Sequence, residues 1–131
     1  MLKKLVKVFT FIFAFTTASL AFCGPADPLF INLSTDEANR ASMAINFGRH
    51  HATNGHPLTI FLNDKAVMLG VRAGSTRFAD QQQFLSEAIS SGALVIMCPM
   101  CLKQAGLTEA DLDSIAQKQA AQALVDGRPV F

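Results

Sequence analysis

The stretch LTIFL at residues 58–62 decides the fold, because four of its five positions are apolar. A strand with one buried face alternates apolar and polar residues, whereas a strand covered on both faces is apolar almost throughout. Two further runs have the same character, LFINL at 29–33 and ALVIM at 93–97. Three such runs predict the buried strands of a mostly parallel sheet.

Helical patterns separate these strands. After the first strand, Ser34 and Glu37 have the spacing of a capping box, and apolar residues then recur at helical spacing until the turn at 55–57. After the second strand, residues 65–72 are predicted as a short helix or turn. Residues 73–77 are small and polar without periodicity, which indicates a loop at the edge of the sheet.

Another long helix is expected before the third strand, with Asp80 as its cap and 90–92 as its end. Beyond the third strand, Pro99 suits the first turn of a helix. Thr108 and Asp111 are predicted to begin a last helix that runs through Leu124. Residues 128–131 are predicted to form a stub of a fourth strand.

This alternation of strand and helix predicts a single α/β domain, a three-layer α/β/α sandwich around a mostly parallel sheet.

The first residues have the pattern of a secretory signal peptide. Three lysines precede a charge-free stretch, and small residues follow at 16–21. Cleavage after Ala21 is expected, with a cut as late as Cys23 open, so that residues 22–131 form the mature domain. The alternative is an uncleaved anchor. The protein is therefore predicted to be exported, with the periplasm as its compartment and no stable membrane span after cleavage.

Charge and motif content exclude several functions. Loss of the three leader lysines leaves eight Lys plus Arg against ten Asp plus Glu, a net charge of −2 instead of +1. Such a domain has no basic footprint for nucleic acid. The sequence also lacks a G-x-G-x-x-G phosphate loop, so no organic cofactor is expected.

Three loops are predicted to meet where the strands end. They are residues 34–37, 63–65 and 98–101, and ligands of parallel sheets gather at this carboxyl edge. Asp64 is a candidate to orient this rim or to tune a thiol, although a loop-capping aspartate explains it equally well. Arg72 and Arg77 flank the loop at 73–77 and are candidates to bind an anionic sulfur species or an acidic partner surface, against the alternative of solvated arginines.

The motif Cys98-x-x-Cys101 predicts a reactive pair of thiols. Both cysteines lie at a predicted strand-to-helix junction beside Pro99, where backbone N–H groups favour a thiolate. A thiolate there attacks disulfide or persulfide sulfur, and the second thiol resolves the adduct. We expect Cys98 to attack, because it lies nearest the strand end. The alternatives are a buried or static disulfide, and a soft-metal site such as Cu(I) with nearby methionines.

The three histidines, His50, His51 and His56, fall at the end of the first predicted helix. Parallel-sheet topology directs that end away from the carboxyl edge. A solvated helix terminus is therefore preferred to a metal site or to a catalytic partner of Cys98.

Several segments agree in order with a known family. They are 30–37, the sequence IFLNDKAV at 60–67, and VIMC at 95–98, with Gly106-Leu107 eight positions after the cysteine. On these residues the chain resembles the DsrE/DsrF-like family of small sulfur-relay proteins from Leu29 to Phe131.

The resemblance implies an α/β/α fold, a homo-oligomer, and a cysteine that carries sulfane sulfur as a persulfide. Cys98 matches the carrier position, and Cys101 matches a second cysteine that occurs in some branches. The leading hypothesis is thus an exported sulfurtransferase or sulfur carrier, with donor and acceptor proteins or small sulfane-sulfur compounds as partners. The alternatives are a periplasmic dithiol/disulfide redox protein and a non-catalytic module that binds a soft metal or a partner.

Overall fold

A computed structural model describes residues 26–113 of the 131-residue chain. Three predictions lie outside the described residues: the signal peptide, the continuation of the last helix through Leu124, and the strand stub at 128–131. Within the described part, no helix is long and apolar enough to cross a membrane.

The sheet has three parallel strands, β1 (Leu29–Leu33), β2 (Leu58–Leu62) and β3 (Leu94–Met97). Their order in space is their order in the chain, β1-β2-β3. Leu33 pairs with Leu62, and Leu62 pairs with Met97, so all three strands reach the carboxyl edge at the same level. The predicted parallel sheet is confirmed, with β3 beginning one residue later than expected.

Two long helices connect the strands, α1 (Ala38–Thr53) and α2 (Ala79–Ser90). They pack against each other and against one face of the sheet, as right-handed crossovers between neighbouring parallel strands require. Alternate strand residues fill the core between the layers. The buried members are Leu33, Ala41, Ile45, Leu58, Ile60, Leu62, Ala66, Leu69, Phe78, Leu85, Ala88 and Ala93.

Gly48 lets α1 approach the sheet closely. A Cβ at this position would lie 2.7 Å from Ile31 Cδ1 and 2.9 Å from a methyl of Leu58. The other strand positions, which include Phe30 and Phe61, lie on the opposite face, where the two rings are 6.4 Å apart. Parallel strands joined by helices in one domain confirm the predicted α/β fold class.

The start of α1 differs from the prediction. Glu37 is itself the N-cap, and its carboxylate accepts the N–H groups of Asn39 at 3.0 Å and Arg40 at 2.9 Å. The predicted capping box with Ser34 as N-cap is therefore wrong. The chain needs residues 34–37 to turn from β1 to the helix layer, and Thr35 Oγ1 accepts the Glu37 N–H within that turn at 3.1 Å.

The start of α2 also differs. Phe78, which is fully buried, occupies the N-cap position without a side-chain cap, and Asp80 lies inside the first turn. The prediction of Asp80 as the cap is wrong, because burial of the Phe78 ring fixes where the chain enters the helix.

Short helical segments cover the carboxyl edge of the sheet. They are two 3₁₀ helices at Asp64–Gly70 and Arg72–Gly74, the helix α3 (Pro99–Gln104), and a 3₁₀ turn at Glu109–Asp111. A second small core joins them, formed by Val67, Val71, Leu102 and Leu112. The short helix predicted at 65–72 is confirmed, and its residues Ala66, Val67 and Leu69 are all buried.

The 3₁₀ turn at Glu109–Asp111 begins where the last helix is predicted to begin, and Thr108 and Asp111 form a capping box there. It does not continue directly as a helix, because Leu112 forms an antiparallel bridge with Val71. The Asp113 N–H then donates to the Gly70 carbonyl at 3.0 Å. This end of the described chain is thereby tied to the carboxyl edge.

Candidate functional site

The strand ends bring the predicted loops together. The hydrogen-bond ladder continues past the strands, because the Asn63 N–H donates to the Leu33 carbonyl at 3.0 Å and the Cys98 N–H donates to the Leu62 carbonyl at 2.9 Å. The residues that follow β1, β2 and β3 therefore lie side by side. This convergence of 34–37, 63–65 and 98–101 was predicted from the sequence.

Cys98 and Cys101 form a disulfide at the start of α3. Cys98 is the N-cap of this helix, and its Sγ accepts the Cys101 N–H at 3.3 Å. Pro99 occupies the first helical position, where its missing N–H costs nothing. Both cysteines are half-buried and pack against the second core, so one turn of helix fixes the two sulfurs in bonding distance of each other.

A cleft of about 260 Å³ opens beside Cys101. Segments that follow each of the three strands supply its walls. The lining residues are Asp36, Asp64, Lys65, Val67, Met68, Cys101, Gln104 and Ala105. Cys101 is in the wall of this cleft and Cys98 is not. The wall therefore distinguishes two cysteines that the sequence motif presents as a symmetrical pair.

Asp64 stands at the entrance to the first 3₁₀ helix with a φ of +48°. Few residues other than glycine adopt this left-handed conformation, and aspartate is among those that tolerate it. The tight turn brings Asp64 and Lys65 directly from the end of β2 into the cleft wall. The predicted place of Asp64 at the rim beside the cysteine pair agrees with this geometry.

The two predicted arginines lie outside the cleft wall. Arg77 Nη1 is 3.5 Å from Asp36 Oδ2, and its guanidinium carbon is 4.7 Å from the centre of the Phe78 ring. Arg77 thus reaches the site through Asp36, which does line the cleft. Arg72 instead donates to the Ala110 carbonyl and so fixes the Glu109–Asp111 turn.

Sequence reasoning missed Gln104 and the apolar wall formed by Val67 and Met68. Gln104 and Ala105 follow Cys101 by three and four residues, and this helical spacing is a signal that could have placed them beside it. No sequence signal predicts that Met68 lines the cleft, since its position depends on how the first 3₁₀ helix folds back over the strand ends.

Two carboxylates near this edge have a lowered pKa. The pKa of Glu37 lies below its ordinary value because the Arg40 and Asn39 N–H groups hydrogen-bond the charged carboxylate. The backbone and side-chain hydrogen bonds from Thr108 lower the pKa of Asp111 in the same way, at 2.8 Å each. Both groups are thereby held as charged caps of their turns.

The histidines occupy the place expected for them. His50 and His51 are in the last turn of α1, and the His51 ring centre is 5.7 Å from that of His56. This end of α1 precedes β2 and lies opposite to the carboxyl edge. Among residues 26–113, no group of three or more His, Cys, Asp or Glu side chains is arranged to hold a metal ion.

Comparison with known proteins identifies the family to which the chain belongs. No curated protein and no solved structure matches the chain. The model of the DsrE/DsrF-like family matches residues 29–126, which include the whole sheet, the cleft and both cysteines of the pair. Because this match spans well over half of the 131 residues, the chain belongs to the DsrE/DsrF-like family, which implies a role of the sulfur-relay type.

Proposed function

We propose that this protein is an exported sulfur carrier in which Cys98 accepts sulfane sulfur as a persulfide and Cys101 helps to release it. One observation carries the proposal: the two sulfurs are within bonding distance at the carboxyl edge of a DsrE-like sheet. Release by a neighbouring thiol requires such proximity. The site lies where parallel sheets ordinarily present reactive groups.

Loading begins with the reduced pair. The Cys98 thiolate attacks the outer sulfur of a donor persulfide, so a new S–S bond forms on Cys98 while the S–S bond of the donor breaks and the donor leaves as a thiolate. The Cys101 N–H, which lies 3.3 Å from Cys98 Sγ, supports negative charge on this sulfur.

Release has two routes. In the first, an acceptor thiolate takes the outer sulfur of the Cys98 persulfide and regenerates the Cys98 thiolate. In the second, the Cys101 thiolate attacks the Cys98 sulfur itself, hydrosulfide leaves, and the disulfide forms. The second route ends in the state that the structure shows, and a thiol reductant must then restore the pair.

The function of Cys101 is tested by sulfide release. Reduced protein is loaded with polysulfide, desalted, and followed for free sulfide and for the remaining persulfide mass. We expect the wild type to release sulfide with formation of the disulfide, and Cys101→Ser to retain its persulfide several-fold longer. If Cys101→Ser releases sulfide as fast as the wild type, Cys101 has no part in release.

The disulfide itself favours a second candidate, a dithiol/disulfide exchanger in an oxidising compartment. Redox titration followed by persulfide analysis separates the two functions. An exchanger cycles with thiol partners and never holds sulfane sulfur, whereas a carrier yields a protein whose mass is greater by one sulfur atom on Cys98.

Export is supported by the leader pattern, with Lys3, Lys4 and Lys7 ahead of an uncharged stretch. Intact-mass analysis of the protein recovered from a periplasmic fraction tests it. We expect a chain that begins at Phe22. A chain that retains Met1 and stays with the cells after the outer envelope is opened contradicts export.

A further inference from the structure

We infer that the thiol that reduces the disulfide is a low-molecular-weight thiolate that enters the cleft and attacks Cys101, while Cys98 leaves as the thiolate. This deepens the proposed function, on which it rests, by naming the class of co-reactant and its point of attack. Cys98 remains the thiol that attacks the sulfur donor, whereas in the reduction of the disulfide Cys101 is the sulfur that is attacked.

The approach path of the incoming thiolate favours attack on Cys101. Thiol–disulfide exchange requires the incoming sulfur to approach one particular sulfur of the bond, so the approach path selects the site of attack. Cys101 lies in the wall of the cleft, which Asp64, Lys65 and Gln104 also line. Cys98 is absent from that wall and forms the N-cap directly after β3.

The stability of the departing thiolate also favours attack on Cys101, because Cys98 is then the sulfur that leaves. The sulfur that departs carries away the electron pair of the S–S bond, and a sulfur that is better stabilised as an anion leaves faster. Cys98 Sγ already accepts the Cys101 N–H at 3.3 Å. Attack on Cys101 therefore releases the sulfur for which the structure provides a hydrogen-bond donor.

The exchange balances in two steps. In the first, the incoming thiolate forms a bond to Cys101 Sγ, the Cys101–Cys98 bond breaks, and Cys98 becomes a thiolate. In the second, another thiolate attacks the sulfur of the bound thiol, so that a small-molecule disulfide leaves and Cys101 becomes a thiolate. Two electrons pass from two thiols to the protein disulfide.

The size and charge of the cleft define the reductant. Its volume of about 260 Å³ suits a small molecule rather than a protein domain. Asp36 is paired with Arg77, so Lys65 and Asp64 remain as the exposed charges of the wall. Of these two wall residues, Lys65 carries the positive charge that attracts an incoming thiolate, and Asp64 carries a negative charge that opposes it.

The point of attack is tested by trapping the first step in the wild-type disulfide protein. Glutathione is added, N-ethylmaleimide stops the reaction at early times, and fragment spectra locate each group on Cys98 or Cys101. We expect glutathione on Cys101 and maleimide on Cys98 in several-fold excess over the reverse pattern. An excess of glutathione on Cys98 overturns the inference, as does reduction by thioredoxin in the absence of any reaction with glutathione.

The cleft is tested with two charge reversals. Lys65→Glu places a negative charge in the wall, and Lys103→Glu makes the same change on α3 outside the wall. Both side chains are exposed, so the fold tolerates both changes. We expect Lys65→Glu to slow reduction by glutathione several-fold at low salt, and Lys103→Glu to change it much less. Equal rates in the two variants exclude the cleft as the route.

The trapping experiment uses no sulfane sulfur, so it fails independently of the proposed function. A protein that carries persulfide on Cys98 but receives glutathione on Cys98 retains the proposed function and loses this inference. A protein that receives glutathione on Cys101 but never holds sulfane sulfur is a disulfide exchanger with the reductant site inferred here.

Discussion

Gly74 shows at the scale of a residue how tightly the carboxyl edge is built. A Cβ on this glycine would overlap the Met68 carbonyl oxygen and would lie 3.1 Å from a ring carbon of Phe78. The contact partner is backbone, which has no rotamer with which to move away. Glycine is therefore required where the two 3₁₀ helices fold against each other.

We predict that Gly74→Ala destabilises the protein by about 3 kcal/mol, the upper part of the range for overpacking a filled site. Urea denaturation measures the change. Ser75→Ala, at the exposed neighbouring position, is the matched control and should cost far less. Equal stability of Gly74→Ala and the wild type would show that the Met68 carbonyl can withdraw.

The cysteine pair shows what a sequence can and cannot predict at this scale. The motif and the preceding apolar run placed Cys98 and Cys101 together at a strand end, and both positions are confirmed. The motif could not reveal that Cys101 lines the cleft. That depends on the rotation of α3 about its axis, which the packing of Leu102 against Val67 and Val71 sets.

At the scale of an element, the cap of α1 depends on one carboxylate. Glu37 accepts two N–H groups of the first turn, and these hydrogen bonds lower its pKa below the ordinary value of 4.5. A group with a lowered pKa in the folded state contributes stability above its unfolded pKa and loses it as the pH falls through the folded value. The contribution of this cap is therefore present at neutral pH.

We predict that Glu37→Gln lowers the Tm at neutral pH and that the difference from the wild type disappears in acid below the lowered Glu37 pKa. Thermal unfolding at a series of pH values measures this. Asp80→Asn is the control, because it removes a carboxylate from the first turn of α2 without removing an N-cap. A Tm difference that stays constant down to strongly acidic pH would contradict the role of the charged carboxylate.

The elements differ in how well the sequence predicted them. The three strands were predictable because each is a short apolar run, and such runs are typical of parallel sheets. In the described residues the long helices cover one face of the sheet, and Phe30 on the other face is 60% exposed. The helix starts were less predictable. Both Ser34 and Asp80 are good capping residues in the wrong place, because the length of the connecting loop and the burial of Phe78 decide where each helix begins.

At the scale of the whole molecule, the disulfide contributes little to the stability of the fold. It closes a loop of only four residues, and the entropy that such a loop removes from the unfolded chain corresponds to about 2 kcal/mol. The larger core between α1, α2 and the sheet does not include either cysteine. The fold is therefore expected to persist when the pair is reduced, as a cycling site requires.

We predict that reduction of the disulfide lowers the free energy of unfolding by about 2 kcal/mol. The double variant Cys98→Ala with Cys101→Ala, which also loses the packing of both side chains against the second core, is expected to keep its circular dichroism spectrum. The wild type with the disulfide reduced is the comparison that leaves every side chain in place. Loss of the native spectrum on reduction would show that the disulfide is structural, and would argue against repeated redox cycling.

Exposed apolar residues on α1 support the expected homo-oligomer. Met43 and Phe47 lie one turn apart and are 67% and 56% exposed, although the outer face of a helix in a small monomer is usually polar. We predict that light scattering of the mature protein gives a multiple of the monomer mass, and that Phe47→Glu lowers it. A monomeric wild type contradicts the prediction.

The site of sulfur loading tests most directly whether Cys98 is the residue that carries sulfane sulfur. Reduced mature protein, Cys98→Ser and Cys101→Ser are each incubated with a sulfane-sulfur donor, and peptide mass spectra locate any added sulfur atom. We expect one added sulfur on Cys98 in the wild type and in Cys101→Ser, with longer retention in the latter, and none in Cys98→Ser. Full loading of Cys98→Ser would contradict the claim that Cys98 is the carrier.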